Sequence, residues 1–144
     1  AAATLGTRTV RVALTAADSY SVNNGATTLA AIAQQPAYRA LFADQRLSTY
    51  LLTVYSANDQ RSSWSDGYTA DEQRTTHDET VALATYLLRT YQDKKFILLN
   101  WEGDNALQAF PSSNEVAWSG YTDWIKARVS GVSDARSAVS GATS

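Results

Sequence analysis

KKFILLNWEGDN, residues 94–105, joins an apolar run of strand length directly to a polar cluster centred on Glu102. The run KFILLN, residues 95–100, is too short for a helix of ordinary size, and its near-continuous apolar character suits a strand covered on both faces in a parallel sheet. In α/β folds the carboxyl ends of such strands carry the chemistry, so the position of Glu102 gives the cluster its interest. Strand alternation groups Phe96, Leu98, Asn100 and Glu102 on one face, with Ile97, Leu99 and Trp101 on the other. Gly103 permits a sharp departure, and Asp104 and Asn105 follow on the loop.

Working towards the amino terminus, two more apolar and β-branched runs occur at residues 9–15 (TVRVALT) and 49–56 (TYLLTVYS). Helical patterns separate the three. Thr69 and Glu72 have capping-box spacing, and Val81, Ala84, Leu88 and Tyr91 then recur at helical intervals. Ser112 with Glu115 repeats the signature ahead of Trp118, Tyr121, Ile125, Val129 and Val132. In the first connection Leu29, Ile32 and Ala33 form one short apolar face, and Pro36 starts a second turn carrying Tyr38, Leu41 and Phe42, a broken helix. The order strand, helix, strand, helix, strand, helix predicts three consecutive βα units with parallel strands, an α/β fold.

Loop lengths support this. Segments leaving the strands are long and polar or aromatic (TAADSYSVNNGA, SANDQRSSWSDGYT, WEGDNALQAFPSS), whereas those leaving helices are short (ADQRLS, QDK). Lengthening on one side only is what an active-site face produces. The tail VSGVSDARSAVSGATS is rich in Ser, Ala and Gly and reads as a fraying helix end or the start of a linker.

Composition bounds the function. The 144 residues suit one domain, 1–144, and fall short of the roughly 250 of a complete (β/α)8 barrel. Net charge is -2, from 12 basic and 14 acidic residues spread along the chain, which indicates neither a nucleic-acid nor a membrane partner. No apolar stretch approaches a membrane span of about 20 residues, nor does the start resemble a signal peptide. With no cysteine, disulfides and thiolate chemistry are absent, and localisation, secreted or otherwise, stays open. The chain begins AAATLG and contains no Met, which suggests processing or excision from a longer protein.

Glu102, walled by Trp101 and aromatic loop residues, suits a general acid whose pKa partial desolvation raises. Pairing with Arg11 or capping of the next helix is the structural alternative. Tyr20, Tyr55, Trp64, Tyr68, Trp101 and Phe110 fall at or after strand ends among Asn23, Asn24, Asn58 and Asp66, a mixture of flat faces and hydrogen-bonding groups suited to sugars. Trp64 is equally suited to anchoring its loop. Trp118, Tyr121, Trp124, Tyr86 and Tyr91 fall on helical stretches and read as packing. His77, beside Asp78 and Glu79, reads as part of a solvated helix face. Neither a nucleophile elbow nor a Gly-rich phosphate loop occurs.

The stretch from Gly6 to Asn105 resembles the second to fourth strands of the clan A glycoside hydrolases. Val10-Arg11-Val12 is similar to the inward Arg of that clan's second strand, and Asn100-Trp101-Glu102 to the Asn-Glu that ends its fourth, with one residue inserted. The resemblance implies a fragment of a TIM (β/α)8 barrel that hydrolyses glycosidic bonds without a cofactor. Glu102 is then the acid/base, and Arg11 supports the charge of a nucleophile from a seventh strand that this sequence does not contain. Asn100, Trp101, Asp104, Asn105, Tyr55, Trp64 and Tyr20 are the expected sugar contacts. A retaining glycosidase places two carboxyl groups about 5–5.5 Å apart, and only one is supplied here. The expected partners are a carbohydrate and either the remaining half of the barrel or a second copy joined through open sheet edges. Two rivals use the same residues: a divalent-metal hydrolase with Glu102 and Asp104 as ligands, assisted by Asp18 or Asp59, and a carbohydrate-binding domain without turnover.

Overall fold

The apolar runs form strands β1 (Thr9–Thr15), β2 (Thr49–Tyr55) and β3 (Lys95–Leu99) in a computed structural model that describes residues 6–55, 64, 66–100, 107 and 114–141. They make one parallel sheet in the order β1-β2-β3, with Arg11 level with Leu51 and Leu51 with Ile97. Between and after them come helices α1 (Leu29–Ala33), α2 (Pro36–Phe42), α3 (Ala70–Thr90) and α4 (Glu115–Gly141). The chain is thus mixed α/β with parallel strands, as its alternating pattern predicts.

Local chemistry explains the boundaries. Thr28 caps α1 by accepting from the Ala31 amide, and Pro36, whose ring presets a helical φ, opens α2. At α3 the capping box is complete: the Thr69 hydroxyl accepts from the Glu72 amide, and the Glu72 carboxylate accepts from the Thr69 amide at 2.8 Å. Helix α4 is capped differently from expectation. Asn114 accepts the Ala117 amide at 3.2 Å through its side-chain oxygen, while Ser112 lies outside the described residues.

One face of the sheet carries the main core. Val12, Leu14, Tyr50, Leu52 and Val54 pack with Leu29, Ile32, Tyr38, Phe42, Leu83 and Leu87 from the helices, joined by the partly buried Val10, Phe96 and Leu98. Phe42 meets Tyr50 and Phe96 edge-on at 5.3 Å, and Tyr50 stacks on Phe96 at 5.1 Å. The Tyr50 hydroxyl donates to Leu41 O at 2.8 Å. Burial, with Asp44 and Asp93 nearby, pushes its pKa up to about 12, so it stays a neutral donor. The opposite face, with Arg11, Leu51, Ile97 and Leu99, has no helix packed on it among the described residues, and Arg11 is exposed. Two-sided burial, inferred from the apolar runs, is therefore present on one side only among these residues.

The two long helices bury only part of what their apolar periodicity indicated, and other residues besides. In α3 the buried set is Thr76, Thr80, Leu83, Ala84 and Leu87, while Val81 and Leu88 are half-buried. The helix is covered on two sides: Leu83 and Leu87 meet the sheet, and Thr80 meets α4. In α4 the expected stripe is divided: Val129 is 64% exposed and Trp118 43%, whereas Tyr121, Ile125 and Val132 are half-buried. Ala117, Gly120, Trp124, Ala127, Arg128, Gly131 and Ala135 face inward. Small residues win because α4 crosses so close to its neighbours that a Cβ on Gly131 would lie 2.8 Å from His77 O and 2.9 Å from the Thr80 Cβ.

His77 ties these helices together and is not the free surface residue its context suggested. Its ring nitrogens meet Asp78 at 2.9 Å and Asp134 of α4 at 3.0 Å. These hydrogen bonds, first to Asp78 and then to Asp134, raise its pKa above the ordinary value near 6.5. A raised folded-state pKa adds stability that is complete below the unfolded pKa and disappears as pH rises through the folded one. The melting temperature of the parent chain should therefore exceed that of His77→Gln at pH 5.5, with the difference shrinking towards pH 8.5. A difference that stays constant or grows with pH would contradict the assignment.

Candidate functional site

The carboxyl ends of the three strands form a rim supported by the β1–α1 loop and α4. The loop is held by its own polar residues. Asp18, at φ 49°, accepts through Oδ1 from the amides of Val22 at 2.7 Å and Asn23 at 3.0 Å. Asn23 is buried, and its Nδ2 donates to Thr15 O at 2.8 Å, which fixes the loop on the end of β1. Ser21 and Asn24 also have positive φ, so three non-glycine residues within seven adopt the left-handed conformation.

Two tyrosines close the outer edge of β1. Ala16 donates to Tyr55 O, and Ser48 donates to Arg8 O, so even-numbered residues of β1 bond towards β2 and odd-numbered ones turn to the free edge. On that edge the Tyr20 hydroxyl accepts from Ala13 N at 3.2 Å, and the Tyr38 hydroxyl donates to Ala13 O at 2.9 Å. Burial first, then Tyr20 and Asp18, pushes the Tyr38 pKa to about 12 and keeps that donor protonated.

Arg128 is the residue at this rim that sequence reasoning overlooked. Only 5% exposed, it lies over the Trp124 ring at 4.6 Å and directs Nη2 to Leu99 O at 3.1 Å and Nη1 to Val54 O at 3.5 Å. Those carbonyls end β3 and β2, and the bond from Lys95 to Ser48 O shows that they face each other across the pair. The guanidinium fork thus closes the sheet where its ladder stops. One signal was legible: Arg128 lies four residues after Trp124 within a face of Ala and Gly, where a long cation is buried and bonded. Arg128→Met keeps much of the stem but deserts both carbonyls. The expected loss of stability is about 1.5–3 kcal/mol, read from urea unfolding. An unchanged midpoint would show that the fork contributes nothing.

The expected site residues fall into three groups. Glu102, Trp101, Asp104 and Asn105 lie outside the described residues, as do Asn58, Asp59 and Phe110. Tyr55 ends β2 at the rim, half-buried, Asn100 follows β3 and is exposed, and Tyr20 stands 52% exposed on the edge of β1. The remaining two sit elsewhere. Arg11 is mid-strand, about 13 Å of extended chain below Thr15, and its Nε donates to Thr53 Oγ1 at 3.3 Å. Trp64 is 1% exposed and packs on Trp124 at 4.9 Å and Tyr121 at 5.4 Å, with Leu107 and Ala117 beside it. Trp64 is thus a buried member of this second cluster.

Within β3 the alternation is as the sequence predicts, up to the end of the strand. Phe96 and Leu98 face the helices, so Arg11 shares its face with Ile97 and Leu99, and regular alternation ends at Leu99, before Asn100. Among the described residues no three His, Asp or Glu are gathered as metal ligands, and no helix is long and apolar enough to cross a membrane. Compared with models of known families, with curated proteins and with solved structures, the chain has no match.

Proposed function

We propose that this chain forms consecutive βα units of a glycoside hydrolase barrel, in which Glu102 protonates the leaving oxygen of a glycosidic bond. The observation that carries the reading is the agreement of sheet order with chain order, with the core helices gathered on one face. A sheet wound in one direction leaves its other face for a barrel interior, whereas a doubly wound sheet reverses and covers both. The long loops leave the carboxyl ends of the strands, where barrel enzymes hold substrate. Arg11 and Thr53 give the face opposite the core helices a polar pair. The Tyr20 and Tyr38 hydroxyls occupy Ala13, so a barrel strand ahead of β1 pairs through the amino-terminal half of β1.

In the sequence Glu102 comes three residues after Leu99, whose carbonyl Arg128 bonds. The proton goes to the glycosidic oxygen as its bond to the anomeric carbon breaks, and a second carboxylate from outside these 144 residues completes the pair. Assay of the intact protein against α- and β-linked aryl glycosides and against polysaccharides tests the proposal. Release of aryl alcohol or reducing sugar is expected, and absence of turnover across the panel overturns it.

A further inference from the structure

The two edges of the sheet are unlike. Ala13 on β1 has both main-chain groups taken by tyrosine hydroxyls. On β3, Lys95 bonds to Ser48 of β2, so Phe96 and Leu98 turn their main-chain groups the other way, where no described residue bonds to them. Alongside runs a groove of about 700 Å³ between β3 and α4. Ile97, Val129 and Val132 supply apolar wall, and the described lining residues include the cations Lys95, Arg128 and Arg136 and no carboxylate. Lys95 and Arg136 are exposed and have no ion-pair partner among the described residues.

We propose that this groove receives an extended polypeptide strand with carboxylate side chains, which adds to the Phe96–Leu98 edge. An unpaired edge supplies the main-chain bonds, the apolar walls take alternate side chains, and the cations select acidic partners. Charge and edge geometry both disfavour a second copy. A two-fold pairing of β3 with β3 gathers Lys95 and Arg136 from both molecules, and a second molecule's β1 offers only the short edge amino-terminal to Ala13, whose main-chain groups are taken. The inference rests on the barrel reading only in that the strand continues the sheet; it adds the strand's place and its charge.

The test uses the 144-residue chain and a labelled, end-blocked ten-residue peptide of alternating valine and glutamate. Binding by fluorescence anisotropy is expected, together with slowed hydrogen exchange at the Phe96 and Leu98 amides. The doubly substituted Lys95→Glu, Arg136→Glu chain should bind at least tenfold more weakly and should instead take up the valine–lysine peptide. Both positions are exposed, so its melting temperature should stay near the parent's; the single Arg136→Glu variant serves if it does not. No binding, charge-independent binding or binding without protection of those two amides overturns the proposal. So does protection without peptide accompanied by a dimer in sedimentation, which assigns the edge to a second copy. Hydrolysis is not measured here, so a negative result leaves the glycosidase proposal standing.

Discussion

Glu102→Gln is expected to lower kcat/KM of the intact protein by about 10²–10⁴ on substrates with a sugar leaving group, and to leave sugar affinity nearly unchanged. Glutamine keeps the size and hydrogen-bonding reach of the side chain but has no proton to give to the departing oxygen. The loss should therefore depend on the leaving group. A sugar alkoxide is a poor leaving group and needs protonation as the bond breaks, whereas a dinitrophenolate departs readily without it. Because kcat/KM reports passage through the first irreversible transition state, dinitrophenyl glycosides should lose far less than natural linkages. Equal losses on both would deny Glu102 the role of proton donor. A loss reversed by added Mn²⁺ would point to the metal-dependent alternative, in which the carboxylate is a ligand.

How far the sequence disclosed the structure depends on which forces decided each element. Strands were legible because runs such as TVRVALT and KFILL need little context to be recognised, and Thr69 with Glu72 marked a helix start through a bond within four residues. The buried face of α4 was not. Hydrophobic periodicity selects large apolar residues, but a helix crossing this close is governed by what can be removed, and Gly120, Ala127, Gly131 and Ala135 remove most. Val129 and Trp118 turned outward as a consequence. The rim was legible in part: Tyr20, Tyr55 and Asn100 are at strand ends or on the strand edge, where loop polarity placed them. Arg128 was overlooked because its partners are main-chain oxygens 29 and 74 residues away, which no local pattern encodes. Trp64 was ambiguous for a related reason, since Trp124 and Tyr121 lie far along the chain.

The same close crossing supplies the largest expected change in stability. Gly120→Ala in the middle of an exposed helix would stabilise by up to about 1 kcal/mol, because alanine has the better helix propensity. Here the added Cβ would collide with Trp64 O and stand 3.0 Å from the carbonyl carbon of Gly67. Both are main-chain atoms, so no flexible side chain can swing aside and relief requires moving α4 or the backbone at Trp64 and Gly67. Overpacking of this kind costs about 1–3 kcal/mol and more where backbone must shift. Gly131→Ala adds a second clash on the same helix, against His77 O and Thr80. The double variant should lose more than either single one, by an amount comparable with much of the stability of about 5–15 kcal/mol usual for a domain. Urea unfolding of both single variants, the double variant and Ser119→Ala, an exposed position on the same helix, separates packing from propensity. Ser119→Ala should be neutral or slightly stabilising. If Gly120→Ala behaved in the same way, α4 would not approach the Trp64 and Gly67 backbone as closely as described, and the buried seat of Trp64 would lose its support.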